Sequence, residues 1–178
     1  AYQETGNALS YARDQHMTAF FQKQRINWLE YPSGGVIRGL KHRNHWEQYW
    51  LSQMNAPLVH PDWAQLQVFV PPPDLLARLR AQPLPSQLYQ NFPDFQPGGT
   101  HNAWRYLHSF LHSRHRQYFK QISKPAAARH SCSRISPYLT WGNISMRELW
   151  QATRHALNAG GDRYNLEQFG SRLFWHCH

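Results

Sequence analysis

The sequence predicts a mainly α-helical protein with a small piece of α/β structure at its N-terminus. Three observations predict it. Apolar and aromatic residues recur at three- and four-residue spacing through several stretches of ten or more residues, the pattern of amphipathic helices. Helix-start signals stand in front of those stretches. Only one run, Ile26 to Tyr31, reads as a strand, and a proline-rich segment interrupts the middle of the chain.

Taken in order, a helix is expected from about Leu9 to Lys23, with Ala12, His16, Ala19 and Phe20 at helical spacing. The strand at Ile26 to Tyr31 is ended by Pro32-Ser33-Gly34-Gly35. That glycine pair is a plain turn, since no G-x-G-x-x-G or lysine-tipped loop accompanies it. A second helix near Asn44 to Met54 places Trp46, Tyr49 and Trp50 on one core face. Lys41-His42-Arg43-Asn44-His45 before it is a basic turn, because two histidines without a third ligand close no metal shell. From Ala56 to Pro97 prolines break up any long element, leaving one short helix over Leu75 to Ala81 capped by Asp74. Gly98-Gly99-Thr100 opens a long helix through Ala103, Trp104, Leu107, Phe110 and Leu111 toward Tyr118, with Thr100 as its cap. Arg147 to Asn158 forms another, stopped by Gly160-Gly161. The last begins at Tyr164, with Asn165 as cap, Gln168 as its reciprocal partner and Tyr164 stapled to Phe169.

A chain of 178 residues suits one domain or pieces of two. Its 19 Lys and Arg against 10 Asp and Glu leave a charge of +9, with 12 His in reserve, which favours polyanionic partners. Cys132 and Cys177 lie far apart and in no metal-ligand spacing, so a reduced cytosolic or nuclear compartment is expected. There is no apolar run of membrane-spanning length and no charged-then-apolar leader. His176-Cys177-His178 is no metal site, because adjacent helical residues diverge by about a hundred degrees.

The chemistry concentrates between His130 and Trp150. Ser136 before Pro137 reads as an N-cap with proline at the first helical position, and Ser145 with Glu148 reads as a capping box. In front of the first start lie Ser131, Cys132, Ser133, Arg134 and Ile135. Hydroxyls, a guanidinium and backbone N–H groups beside the positive end of a helix describe a phosphate seat.

The run Ser133-Arg134-Ile135-Ser136-Pro137-Tyr138-Leu139, then Trp141-Gly142-Asn143-Ile144-Ser145, resembles the flavin-phosphate segment of the DNA photolyase and cryptochrome family, T-S-R-L-S-P-Y-L, two residues, G, two residues, S. Cys132 replaces the usual threonine. Glu4-Thr5-Gly6-Asn7 with Arg13-Asp14 resembles a segment late in the family's α/β antenna domain. The resemblance implies residues 1–45 as the end of that domain, 46–97 as interdomain helix and linker, and 98–178 as the first half of the helical FAD-binding domain. It implies FAD, with Cys132, Ser133, Arg134, Ile135 and Ser136 on its phosphate and ribitol region and Tyr118 reaching a phosphate. The antenna pigment is left open.

In the family a later helix reads W-x-x-E-L-x-W-R, with its first tryptophan and glutamate on the cofactor and its second tryptophan and arginine on DNA. Carried over, these fall on Phe169, Arg172, Trp175 and His176, of which only Trp175 is identical. Phe169, Arg172 and His176 fall on one helical face with Trp175 at its edge; the competing reading makes this an ordinary packed helix. The arginine at 172 reverses the charge expected there. The implied activity is light-driven electron transfer from flavin to a pyrimidine dimer in damaged DNA, in a protein that is monomeric when whole. Two readings compete: a cryptochrome-type photoreceptor that keeps the flavin without repair, and a basic helical nucleic-acid-binding module with no cofactor. The family's remaining flavin contacts and tryptophan relay would lie beyond residue 178, so this stretch alone is expected to be inactive.

Overall fold

The computed structural model describes residues 2–90 and 92–177. Two short parallel strands, β1 (Tyr2–Gln3) and β2 (Glu30–Tyr31), are joined by helix α1 (Ala8–Lys23), with Tyr2 opposite Glu30 and Gln3 opposite Tyr31. The expected strand over 26–31 shrinks to its last two residues, because β1 offers it a partner only two residues long. Helix α1 starts at the Asn7 cap, whose side chain accepts from the Ser10 N–H at 2.8 Å. Its buried residue is Asp14, whereas Ala12, His16, Ala19 and Phe20 stay exposed. An ion-pair network and one aromatic stack seat this helix: Arg38 bonds Asp14, lies 3.4 Å from Glu30 and donates to the Thr5 carbonyl at 2.8 Å, and Phe21 stacks on Trp28 at 4.9 Å.

Helix α2 (Trp46–Asn55) buries Trp46 and Trp50, as its aromatic spacing predicts, together with Met54, whereas Tyr49 is only half-buried. Its partner is α8 (Met146–Asn158), where Trp150 meets Trp50 at 4.8 Å, edge to face. The last carbonyls of a helix lack intrahelical donors. Here Arg147 donates to Gln53 at 2.7 Å, and Gln151 donates to Met54 at 2.9 Å and Ala56 at 2.8 Å. Trp50 also packs so closely on Gly35 that a Cβ there would lie 2.1 Å from the indole Cδ1. The indole N–H of Trp46 donates to the Gly35 carbonyl at 2.8 Å.

Among the described residues of 57–97 there are one short helix, α3 (Pro73–Leu79), and a single 3-10 turn at Ser86–Tyr89. Pro72, not Asp74, stands at the start of α3, with no side-chain cap bond. Val59, Trp63, Val68, Phe69 and Val70 are exposed along this segment.

The rest is a helical body. Helix α4 (Thr100–His112) buries Ala103, Leu107 and Phe110. Thr100 is its first helical residue and Gly99, at φ +96°, holds the cap position, so the expected threonine cap bond is absent. The helix stops at His112, short of Tyr118; a 3-10 turn (Arg114–Gln117) and α5 (Tyr118–Gln121) follow, and then α6 (Pro125–Ser131). Helix α7 (Ser136–Thr140) has only five residues. Helix α8 carries the predicted capping box, with Glu148 N–H on Ser145 Oγ at 3.1 Å and Ser145 N–H on the Glu148 carboxylate at 2.7 Å.

Helix α9 (Arg163–His176) is capped by Asp162 rather than Asn165. Asn165 is instead buried, where its amide accepts from the Phe119 N–H at 2.9 Å and donates to Asp162 at 2.9 Å. Tyr164 pairs with Phe119, at 5.2 Å, and not with Phe169. The core gathers Phe110, Tyr118, Ile135, Tyr138, Leu149, Leu166, Phe169 and Leu173. Among the described residues no helix is long and apolar enough to cross a membrane.

Candidate functional site

The loop from Cys132 to Ile135 joins α6 to α7. Its expected cap does not form: Ile135 is the residue before α7, already in the right-handed helical region at φ −89°, ψ −14°. Its carbonyl accepts from the N–H groups of Tyr138 at 3.0 Å and Leu139 at 3.1 Å, so the helix begins one residue earlier than Ser136-Pro137 suggests. Ser136 is exposed and caps nothing. Ser131 ends α6, and its hydroxyl turns back to the Ala127 carbonyl at 3.2 Å.

Two side chains from outside the loop fix its backbone. Arg114 donates to the carbonyls of Cys132 and Ser133, the latter at 3.4 Å, and to the Tyr106 carbonyl at 2.6 Å. Gln96 donates to the Arg134 carbonyl at 2.9 Å and accepts from the Arg134 Nε at 3.1 Å. Arg134 itself sits at φ +56°, in the left-handed region that L residues seldom occupy. With every loop carbonyl occupied, the N–H groups of Ser133, Arg134, Ile135 and Ser136 have no acceptor among the described residues. A left-handed residue followed by a right-handed one turns successive N–H groups toward a common point, a concavity that suits an anion. Arg114 meets no carboxylate among the described residues. Burial lowers its pKa, and neighbouring Arg134 lowers it further.

The structure brings some predicted residues together and separates others. Tyr118 is buried with its ring against Phe110 and Phe169, both at 5.6 Å. Burial pushes its phenol up to about 12, with the Cys132 thiol adding and the Arg172 charge opposing, so the three side chains are electrostatic neighbours. Burial likewise raises the Cys132 thiol. Ser133 is 8% exposed and Ile135 lies in the core. Phe169 does not share an accessible face with Arg172 and His176: its ring packs on Phe110 at 4.6 Å, inside the body. Arg172 is exposed with its guanidinium 5.5 Å from the Trp175 ring centre, and Trp175 is 64% exposed. His176 closes α9 and borders a cleft of about 850 Å³ shared with Gly34 and Ser145. Arg114 and Gln96 escape local sequence reading, because no motif surrounds either and both act on partners far along the chain.

No protein-family model matches the sequence, and no curated protein matches it. Among solved structures it is similar to a bacterial class III photolyase from Agrobacterium tumefaciens, with a TM-score of 0.60 and 16% sequence identity, over 98% of this chain and 38% of that one. The chain thus has a photolyase/cryptochrome-like fold, and it spans less than half the length of the structure it matches.

Proposed function

We propose, from that fold, that the chain is the FAD-facing and DNA-facing portion of a deoxyribodipyrimidine photolyase-like protein. The observation that carries the reading is the set of uncommitted backbone donors at Ser133, Arg134, Ile135 and Ser136, held in place by Arg114 and Gln96. Such a donor set fits the diphosphate of a dinucleotide, since charge-assisted bonds to phosphate oxygens are strong ones. Cys132 and Tyr118 would lie beside that diphosphate, and Arg172 would supply positive charge near it. When bound, the flavin supplies the light-driven electron chemistry. The chain's own share is to fix the diphosphate through the loop, to keep the Tyr118 phenol protonated across the physiological range, and to present Arg172, Trp175 and His176 to DNA. A flipped base needs a stacking partner and basic backbone contacts. Trp175 offers the first and Arg172 the second.

A cryptochrome-type photoreceptor is the second reading, favoured by Arg172, whose charge stands over the Trp175 ring where a carboxylate would be expected to meet the cofactor. Illumination of the reduced complete protein with dimer-containing DNA separates the two: loss of dimers supports repair, and a photobleached flavin with intact dimers supports the receptor. A colourless complete protein that fails to take up FAD on titration overturns both and leaves a basic nucleic-acid-binding module.

A further inference from the structure

We propose that the cavity on the opposite side of this loop binds a second phosphorylated ligand, a small molecule of the nucleotide class. The inference takes the loop geometry above as given but does not need the flavin reading to hold. In a trans peptide the carbonyl and the following N–H point in opposite directions. No peptide bond among the described residues is cis. Arg114 and Gln96 pull the carbonyls of Cys132, Ser133 and Arg134 toward themselves, so the N–H groups of Ser133, Arg134 and Ile135 face away from Arg114 and Gln96. Both of those side chains line one cavity of about 670 Å³ between α4, α6 and the end of the linker. The loop therefore has two faces, one of backbone donors and one of cationic side chains.

The charge of the cavity identifies the ligand class. Arg105, Arg114, Arg129 and Arg134 all line it, with His130 beside them, against the single carboxylate of Asp94. None of the four guanidinium groups forms an ion pair among the described residues. Arg114 is committed to carbonyls, and Arg134 uses its Nε on Gln96. Among the described residues nothing takes the donors of Arg105 and Arg129 or the terminal nitrogens of Arg134. Planar forks of this kind suit phosphoryl oxygens. Phe95, 75% exposed on the linker side, and Tyr106 on the α4 side add flat apolar surface for a ring. The volume is that of an ordinary small-molecule site. A concave pocket with rings at its edge matches a compact nucleotide better than an extended phosphodiester, which would need a basic stripe.

Isothermal titration of the complete protein with pyrophosphate and with ADP tests the proposal, using Arg105→Ala and Arg129→Ala, both exposed residues whose loss leaves the core intact. The expected result is saturable binding of both probes, weakened tenfold or more by either substitution, with FAD uptake unchanged. Binding equal in wild type and variants would mean that the probes sit on the backbone donors, and would overturn the second site. So would failure of both probes to bind, or tight binding confined to duplex DNA. If the variants lose ADP while the wild type takes no FAD, the flavin reading fails and this one stands.

Discussion

Two helix starts lie ten residues apart and carry equally clear sequence signals, yet they end in opposite states. At Ser145 the side chain and Glu148 close the start of α8 on itself, and both donors are satisfied from within. At Ser136 the hydroxyl caps nothing, the helix begins early on Ile135, and four consecutive N–H groups find no acceptor among the described residues. The closed start leaves only the N–H groups of Met146 and Arg147 without an acceptor among the described residues. The open one is held open by residues outside it, and its longer run of free donors is the capacity that the closed one lacks.

The contrast is broken most severely by undermining the open start. Ile135→Ala should cost about 3 kcal/mol, as a buried isoleucine truncated next to the core, and chemical denaturation would measure it. Arg114→Met should cost about 2 kcal/mol, because three carbonyls lose a charged donor. It should also let the loop peptides turn, so FAD titration of the complete protein should weaken more than the melting temperature falls. Ser145→Ala should cost about 1 kcal/mol, whereas Ser136→Ala should change stability by less than about 0.5 kcal/mol. Equal losses in the two serine variants would show that the open start is capped after all.

The smallest effect comes from a third start. Asp162 caps α9, and hydrogen bonds from the Asn165 side chain and backbone hold its carboxyl below the usual range. A lowered folded pKa contributes stability that is complete above the unfolded value, about 3.9, and is lost as pH falls through the folded value. Melting followed from pH 5 to pH 2 should show this limb, and Asp162→Asn should flatten it.

Helix positions are legible because three-four spacing and a capping box are local signals; α2, α8 and the start of α4 fall where the sequence puts them, as do the buried Trp46, Trp50 and Phe110. Thr100, Ser136 and Asn165 each stand one or more residues from the true cap, since a hydroxyl or amide in the right place does not say which carbonyl takes the first helical bond. The inner face of α1 is not legible in apolar spacing, because the ion pair of Asp14 with Arg38 and the stack of Phe21 on Trp28 hold it. The loop itself was recognisable, but its two-sidedness was not. Its orientation depends on Arg114 and Gln96, 18 and 38 residues from the carbonyls they hold, and periodicity carries no trace of pairings at that range.

The docking of α2 onto α8 also bears on what a protease would do to this molecule. The polypeptide between Pro61 and Pro72 presents bare side chains and little regular backbone, so it is the place where cutting should come first. Yet Arg147, Trp150 and Gln151 would go on gripping the end of α2, and Gly35 would stay seated on Trp50. A nicked molecule would run as two bands on a denaturing gel and as one particle in solution, its halves mated without a covalent tether.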